Sequence, residues 1–439
     1  MRTKYLIIGN SAGGIGAAEA IREVDKQGTM VIISDEPYLA YSRPLIAKYL
    51  AEEYSLEEML FRPADFYTQN NITSLLGRRV EYLKLESRIA ELSNNENISW
   101  EKVLLASGGV PIVPRVKGIT KRGVFTFTTI DDAKAIGEFL GNAQKAVVIG
   151  GGLIGISATE ALIKRGIEVT IVEMKERILN TILDKQASLM AERVLRQAGV
   201  EIITDHTVTE ICGREIVEGS VLDNNEVISC DLVIVAIGVS LRTELAVDAG
   251  IRVNRGVITD RHMSTSNPDV YSCGDAAEAY DFVYGSNSLA PVWPNAYIGG
   301  RIAGYNMAGN EAEYPGGTAM NSLNYFGLDI TAAGMATLPS GNGYEVITKQ
   351  KGDVYQKVVL QNNIVVGMIF VKDIEKSGII FGLMRDSIDV RDFKQSLLAD
   401  DFGLASLPQT LRQGWLEIPP GAILQEPLPV QGEETFAGE

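Results

Sequence analysis

Cysteine and histidine are both scarce in this sequence. Its 439 residues include three cysteines, Cys212, Cys230 and Cys273, and two histidines, His206 and His262. The cysteines form no C-x-x-C pair, and their spacing matches neither a metal site nor a disulfide framework. We therefore expect no metal centre. So few cysteines are typical of a reducing cytoplasm, and chemistry built on a histidine base is disfavoured.

Long apolar runs and an excess of positive charge are missing as well. No stretch approaches the roughly 18 consecutive apolar residues of a membrane-spanning helix. The chain enters a predicted strand at Tyr5 without a cleavable apolar segment. It carries 40 basic and 56 acidic residues, a formal net charge of −16. Because nucleic-acid binding needs clustered lysine and arginine, nucleic acid is not an expected partner. The sequence thus predicts a cytoplasmic protein without a membrane span.

The sequence has ample apolar material for a large core. Hydrophobic residues make up 46% of the chain and charged residues 22%, as in ordinary globular proteins, and the length favours about three domains. One pattern occurs twice: an apolar strand, a glycine-rich turn, an apolar-periodic helix, a second apolar strand and an acidic residue. Continuous apolar strands are typical of buried parallel sheets. The duplication predicts an α/β fold with two Rossmann-like dinucleotide-binding domains.

The first copy of the pattern extends from Tyr5 to Glu36. Its helix carries Ile15, Ala18 and Ile21 at helical spacing. Glycines let the backbone approach a pyrophosphate closely, the helix N-terminus attracts the phosphates, and a terminal acid bonds a ribose. Ser11 stands where the second glycine of the fingerprint usually lies, with a side chain small enough to face a phosphate. The expected contacts are Gly9, Ser11, Ala12, Gly13, Gly14, Asp35 and Glu36.

The second copy extends from Ala146 to Glu173. A carboxylate at the end of its second strand favours NAD over NADP, because it would repel the 2′-phosphate of NADP. Lys175 and Arg177 follow closely and weaken this preference. A later apolar strand, starting at Leu232, stops at a small residue and glycine beside the same turn. The expected contacts are Gly150, Gly152, Leu153, Ile154, Gly155, Glu173, Ala236, Ile237 and Gly238.

A later segment completes a family resemblance. Residues 265–275 read T-S-N-P-D-V-Y-S-C-G-D. Together with the two glycine turns, they make roughly residues 3–400 similar to the pyridine nucleotide:disulfide oxidoreductase superfamily, in which the first Rossmann domain binds FAD and an inserted second one binds NAD(P)H. The resemblance implies that Asp275, after Gly274, holds the ribityl or pyrophosphate part of FAD. Cys273 is expected to be buried filler.

The expected domain boundaries follow from the same family resemblance. Past residue 314 the glycine pattern ends, and apolar runs at 357–360 and 364–370 indicate a small C-terminal α+β domain. The last residues hold several prolines and an acidic end, which predicts a tail with little core of its own. The expected boundaries are 1–115 and 245–317 for the FAD-binding domain, 116–244 for the inserted NAD(P)H-binding domain, 318–405 for the C-terminal domain and 406–439 for the tail.

The segment after the first acid indicates the branch of the family. Residues 36–48 contain no cysteine, which excludes disulfide and peroxide chemistry based on a thiolate there. They resemble the Y-x-R-P-x-L-x-K element of rubredoxin and ferredoxin reductases and of the NADH-binding part of nitrite reductases. In those relatives the arginine and the lysine contact FAD, which implies the same for Arg43, a bidentate phosphate clamp, and for Lys48. Further residues assigned to FAD by the resemblance are Pro44, Val80, Ala106, Ser107 and Gly108.

A second branch marker lies at residues 291–296, P-V-W-P-N-A. It resembles the nitrite-reductase-type group, which includes the flavin subunit of phenylglyoxylate dehydrogenase. The resemblance implies that Trp293 and Pro294 lie near the flavin at a helix N-terminus, which favours negative charge on the reduced ring. The alternative is an ordinary core tryptophan. Where many relatives carry a glutamate near the nicotinamide this chain has Ser157, and Glu160, one helical turn later, is expected to point elsewhere.

The resemblance implies hydride exchange between nicotinamide and FAD, with NAD(H) favoured over NADP(H). Electrons would then pass to or from an iron–sulfur electron-transfer protein, with the chain acting alone or as the flavin subunit of a larger complex, and homodimers are compatible with it. No protein acid, base or nucleophile is required, so no catalytic residue is assigned. Two alternatives stay open: a stand-alone NADH oxidase or small-molecule reductase, and a non-catalytic flavin-binding sensor.

Overall fold

The computed structural model describes residues 1–338 and 343–416. Within them, two five-stranded parallel sheets form the centre of the molecule. The strands of the first sheet are, in spatial order, Val270–Ser272, Lys102–Leu105, Tyr5–Ile8, Met30–Ser34 and Ile72–Leu76. Those of the second are Val124–Thr126, Leu232–Val235, Lys145–Ile149, Glu168–Glu173 and Glu201–Thr204. In both sheets the strand before the glycine turn is central and buried, which confirms the predicted α/β fold.

Helices cover the two sheets. The first glycine turn leads into helix Ala12–Val24, whose Ile15, Ala18 and Ile21 are fully buried. The second leads into helix Leu153–Lys164, more than half of whose residues are buried. The remaining α-helices of the two Rossmann units are Ile46–Leu50, Phe66–Gln69, Ile130–Phe139, Lys185–Gln197, Glu244–Asp248 and Trp293–Met307.

The second Rossmann unit is inserted into the first. The first sheet receives its last strand, Val270–Ser272, only after the chain has completed the second sheet. The chain enters the second unit through strand Gly109–Pro111 and leaves it through Val239–Leu241, and these two strands pair antiparallel. The inserted unit is therefore connected to the first unit by a two-stranded antiparallel ribbon. The residues at which the domains divide stay a prediction.

Small three-stranded sheets flank the Rossmann units. Their strands are Val80–Lys84, Ile89–Leu92 and Asn97–Ser99 beside the first, Val208–Cys212, Gly219–Leu222 and Val227–Ser229 beside the second, and Val257–Ile258, Ala277–Asp281 and Ser286–Ser288 after the insertion. The first two occupy the same place in their units, because each follows the edge strand of its parallel sheet, Ile72–Leu76 or Glu201–Thr204, and precedes the next strand of that sheet. The duplication thus extends beyond the glycine turns.

The C-terminal part is a five-stranded antiparallel sheet with helix Ser377–Arg385 packed against it. Its strands are, in spatial order, Met320–Tyr325, Leu328–Gly334, Ile364–Val371, Val354–Gln361 and Tyr344–Lys351. Helix Gln409–Leu416 follows, and the Trp415 indole donates to Asp386 over 2.8 Å. The start of the expected tail therefore packs on this part, and residues 417–439 lie outside the described residues.

Specific contacts join the three parts. Helix Trp293–Met307 lies so close to helix Ala12–Val24 that a Cβ at Gly300 or Gly304 would overlap the backbone of the other helix. The C-terminal sheet is tied to the second unit by Asp184, which accepts hydrogen bonds from Tyr355 at 2.7 Å and Lys357 at 2.9 Å. No helix in the described ranges combines the length and apolar character needed to cross a membrane.

Candidate functional site

A cavity of about 860 Å³ lies where the three parts of the molecule meet. Both glycine-turn helices contribute to its wall, and the C-terminal sheet closes one side through residues 320–325. The predicted FAD residues that line it are Gly9, Ser11, Ala12, Gly13, Asp35, Glu36, Arg43, Pro44, Lys48, Val80, Ala106, Ser107, Gly108, Gly274, Asp275, Trp293 and Pro294. Residues far apart in sequence thus meet around one space of cofactor size.

The first glycine turn is shaped by close backbone contacts. Gly9 has a φ of +123°, and a Cβ there would overlap the carbonyl of Ala106. Gly14 does not line the cavity; its missing side chain lets the helix approach the carbonyl of Gly9. Among the described contacts, the Ser11 side chain caps no N–H of helix Ala12–Val24. The helix N-terminus is therefore left available to an anionic group.

The two acids after the second strand are both paired with arginine. Asp35 lies 2.6 Å from Arg242. Glu36 forms an ion pair with Arg43 and accepts a hydrogen bond of 2.6 Å from the Tyr41 hydroxyl. Arg43 also donates to the Thr128 carbonyl at 3.0 Å. Arg43 thus lines the cavity with its guanidinium engaged by protein, and its predicted phosphate contact stays a prediction.

Residues 273–275 bring a carboxyl and a thiol to the cavity. Burial raises the pKa of Asp275, an effect that nearby Arg43 partly offsets. Burial also raises the pKa of the Cys273 thiol to about 12, so this thiol stays protonated at neutral pH. The Cys273 sulfur lies 2.7 Å from where a Cβ of Gly13 would be. Cys273 therefore fills space against the glycine turn and is no thiolate nucleophile.

Trp293 begins helix Trp293–Met307 at the cavity wall, with Pro294 in the first turn. Its ring packs edge-to-face against Phe61, with centroids 5.1 Å apart. The two interpretations of this tryptophan are compatible, since it lines the cavity on one side and packs against an aromatic ring on another. Its predicted contact with flavin stays a prediction.

The second glycine turn has its own close contacts. Gly150 has a φ of +108°, and a Cβ there would overlap the carbonyl of Ala236. Glu173, 8% exposed, accepts the N–H of Gly151 at 2.7 Å and the N–H of Lys175 at 2.8 Å. Its carboxylate therefore holds the turn in place. Gly152, Gly155, Ile237 and Gly238 also lie around this turn, and Leu153 and Ile154 extend from it into the cavity.

Ser157 and Glu160 both line the cavity. The Ser157 and Tyr325 hydroxyl oxygens lie 3.1 Å apart and share a hydrogen bond. Glu160 is 9% exposed and lies 3.2 Å from Lys164. Glu160 thus contributes to the cavity wall while its carboxylate pairs with Lys164, and the expectation that it points away from the nicotinamide stays a prediction.

The family model of the pyridine nucleotide-disulphide oxidoreductases matches residues 3–312. The chain belongs to this family. A second model, the rubredoxin NAD+ reductase C-terminal domain, matches residues 320–388. These matches confirm the predicted resemblance.

Individual relatives agree with this assignment. The epsilon subunit of NADH-dependent phenylglyoxylate dehydrogenase from Aromatoleum evansii is 30% identical over 94% of this chain and 98% of its own. A nitrite reductase from Bacillus subtilis is 27% identical over 89% of this chain, which spans 48% of that protein. The structure of NADH:rubredoxin oxidoreductase from Clostridium acetobutylicum has a TM-score of 0.74 and 27% identity, covering 90% of this chain and 98% of its own.

As a member of the family, the chain is an FAD-dependent NAD(P)H oxidoreductase. Its residues fit FAD: Gly9 leaves room that a Cβ would fill, the adjoining helix N-terminus suits a pyrophosphate, and Asp275 brings a half-buried carboxyl to the same cavity. The second turn fits a dinucleotide through the close approach of Gly150 and the start of helix Leu153–Lys164, and the predicted contact of Glu173 with a ribose stays a prediction.

Some cavity residues of this oxidoreductase were not predicted. They lie in segments without a cofactor motif, and include Tyr38, Arg78, Phe127, Thr129, Arg242, Glu244 and Tyr325. Thr129 carries one local signal, since it caps helix Ile130–Phe139 together with Asp132. That signal predicts a helix start and says nothing of a cavity. The other positions depend on how the three parts pack.

Proposed function

We propose that this oxidoreductase passes electrons between NAD(H) and an iron–sulfur electron-transfer protein, as the flavin subunit of a larger complex. The epsilon subunit of phenylglyoxylate dehydrogenase supports the proposal because the similarity extends over 98% of that subunit. The observation that carries it is the single cavity shared by both Rossmann units and the C-terminal sheet. Among the described residues, its thiol is the protonated Cys273, so a protein disulfide relay is not supported.

The residues of the chain supply binding and charge. FAD, when bound, accepts a hydride from nicotinamide and passes electrons on singly. The first glycine turn and Asp275 would hold the pyrophosphate and ribityl parts, and the start of helix Trp293–Met307 would favour negative charge nearby. Leu153, Ile154 and Trp293 make part of the wall apolar, which limits water at the site. No residue is required to take or give a proton during hydride transfer.

The experiment that tests the reductase activity is anaerobic stopped-flow reduction of the purified, FAD-loaded protein, with NADH and NADPH in turn. We expect NADH to bleach the visible flavin absorbance rapidly and NADPH to do so at least about tenfold more slowly, because Glu173 repels a 2′-phosphate. If neither nucleotide bleaches the flavin, the forward reductase activity is wrong. That result would favour a subunit that reduces NAD+ with electrons from its partner, or a non-catalytic flavin-binding protein.

The nature of the acceptor needs a separate experiment. The NADH-reduced protein is mixed with rubredoxin, with a [2Fe–2S] ferredoxin and with oxygen, and each rate of flavin reoxidation is measured. Faster reoxidation by an iron–sulfur protein than by oxygen supports the proposal, whereas rapid oxygen reduction supports a stand-alone oxidase. Light scattering of the protein alone and in cell extract fractions distinguishes a homodimer from a complex with other subunits. A cytoplasmic location remains an expectation, checked by fractionating the source cells.

A further inference from the structure

Four charged side chains form a continuous row of ion pairs between the two Rossmann units. The Lys48 ammonium lies 2.9 Å from one carboxylate oxygen of Glu53, and the other oxygen of Glu53 lies 2.6 Å from Lys164. Lys164 in turn lies 3.2 Å from Glu160. The charges alternate in sign along the row, so each inner group has an opposite charge on both sides.

The two ends of this row line the cavity, whereas Glu53 and Lys164 lie outside it and Glu53 is exposed at the surface. Lys48 and Glu160 are cavity residues. Lys48 belongs to helix Ile46–Leu50 of the first unit, and Glu160 and Lys164 belong to helix Leu153–Lys164 of the second. Glu53 therefore connects a charge on the FAD side of the cavity with a charge on the NAD side.

The backbone holds Glu53 where it can do this. The chain turns directly after helix Ile46–Leu50, with Glu52 at a φ of +59°, and the Glu53 N–H donates to the Lys48 carbonyl at 2.9 Å. Hydrogen bonds from Lys164 and Lys48 lower the pKa of Glu53, so its carboxylate is ionised at neutral pH. Ser157 brings no charge to the cavity and bonds Tyr325 instead. The carboxylate that balances Lys48 thus comes from the turn beside Lys48 itself.

We propose that Glu53 is a positioning residue that fixes the place and the charge balance of Lys48 at the cavity wall. This rests on the proposed function, since it assigns Lys48 to the flavin side of the cavity. Without Glu53, the Lys48 side chain loses its ion-pair partner and its positive charge is no longer balanced. Ion pairs as exposed as these contribute little to folding stability. We therefore expect the loss of Glu53 to change the properties of the bound cofactor and to leave the stability of the fold unchanged.

The test compares the FAD-loaded Glu53→Gln, Lys48→Met and double variants with the wild-type protein. The midpoint potential of bound FAD is measured by dithionite titration, and the limiting rate and NADH affinity by stopped flow. Glu53→Gln is expected to make the potential more positive, because an unbalanced positive charge favours the reduced flavin, and Lys48→Met to make it more negative. Loss of the Lys48 position is expected to slow flavin reduction about tenfold in Glu53→Gln, with NADH affinity unchanged.

The double variant decides whether Glu53 acts through Lys48. It is expected to match Lys48→Met in potential and rate, and Glu53→Asp to recover most of the wild-type values. Glu52→Gln is the matched control: it removes the same charge from the same turn, where Glu52 pairs with Arg165. Equal effects of Glu52→Gln and Glu53→Gln, or additive effects in the double variant, would overturn the proposal. Since dithionite reports the potential without NADH, a wild-type protein that NADH fails to reduce tells against the proposed function alone.

Discussion

At the scale of single residues, Glu173 is expected both to support the second glycine turn and to favour NADH over NADPH. Its carboxylate accepts the N–H of Gly151 in the second glycine turn and the N–H of Lys175, and a negative charge there is expected to disfavour a 2′-phosphate. A glutamine keeps the size but removes the charge and one acceptor. We therefore expect Glu173→Gln to lower kcat/KM for NADH and raise it for NADPH, which reduces the preference for NADH by about tenfold.

Steady-state kinetics with both nucleotides check this prediction. Glu176→Gln is the control, because Glu176 lies three residues after the end of the strand, is exposed and pairs with Arg177. An unchanged preference in Glu173→Gln would show that Lys175 and Arg177 decide the nucleotide, and that Glu173 only supports the turn.

Asp275 is expected to bind the cofactor at a cost to the stability of the folded protein. Burial raises its pKa above the ordinary 3.8 of an aspartate. As pH rises, the unfolded chain releases this proton before the folded chain does, so the folded state loses stability between the two pKa values and stays less stable above them. We expect Asp275→Asn to raise the Tm of the FAD-free protein at neutral pH, and to raise it little in acid, where the carboxyl is protonated.

The same substitution is expected to weaken FAD binding, because it removes the carboxylate that is assigned to the ribityl or pyrophosphate part of FAD. Differential scanning calorimetry from acid to neutral pH and FAD titration of the stripped protein measure the two effects. Asp248→Asn serves as the control, since Asp248 is exposed on helix Glu244–Asp248. A Tm gain that is independent of pH, or unchanged FAD affinity, would contradict the assignment.

At the scale of elements, the contact between helices Ala12–Val24 and Trp293–Met307 sets the geometry of the cavity. A Cβ at Gly304 would overlap the carbonyl of Ala17, so one helix would have to move away from the other. We expect Gly304→Ala to destabilise the protein by about 1–3 kcal/mol and to loosen FAD, because Trp293 and the first glycine turn move apart. Denaturant unfolding and FAD retention on gel filtration measure both.

Gly137→Ala is the matched control for this prediction. Gly137 lies within helix Ile130–Phe139, and a Cβ there would meet nothing within 4 Å. Because alanine favours helix over glycine, this variant is expected to gain up to about 1 kcal/mol. Equal losses in the two variants would mean that the close approach of the helices is not what makes Gly304 necessary.

At the scale of the whole molecule, the sequence predicts features that depend on neighbouring residues and does not predict contacts that form only when the domains pack together. Gly9 and Gly150 are predictable because a strand, a turn and a helix need them within a few neighbouring residues. Tyr325 is not, because it reaches Ser157 only after the C-terminal sheet has packed against the second unit. The contact of Lys164 with Glu53 is not predictable for the same reason: a position on a helix does not show which other domain faces it.

The ribbon formed by Gly109–Pro111 and Val239–Leu241 has an evolutionary consequence. The chain leaves and rejoins the first unit at two points that are neighbours in a hydrogen-bonded pair, about 5 Å apart. The path of the first unit is therefore the same whatever length of chain lies between those points. A second unit of another length could therefore join the first at these two points, provided that it still supplied the part of the cavity wall that Leu153, Ile154 and Ser157 form here.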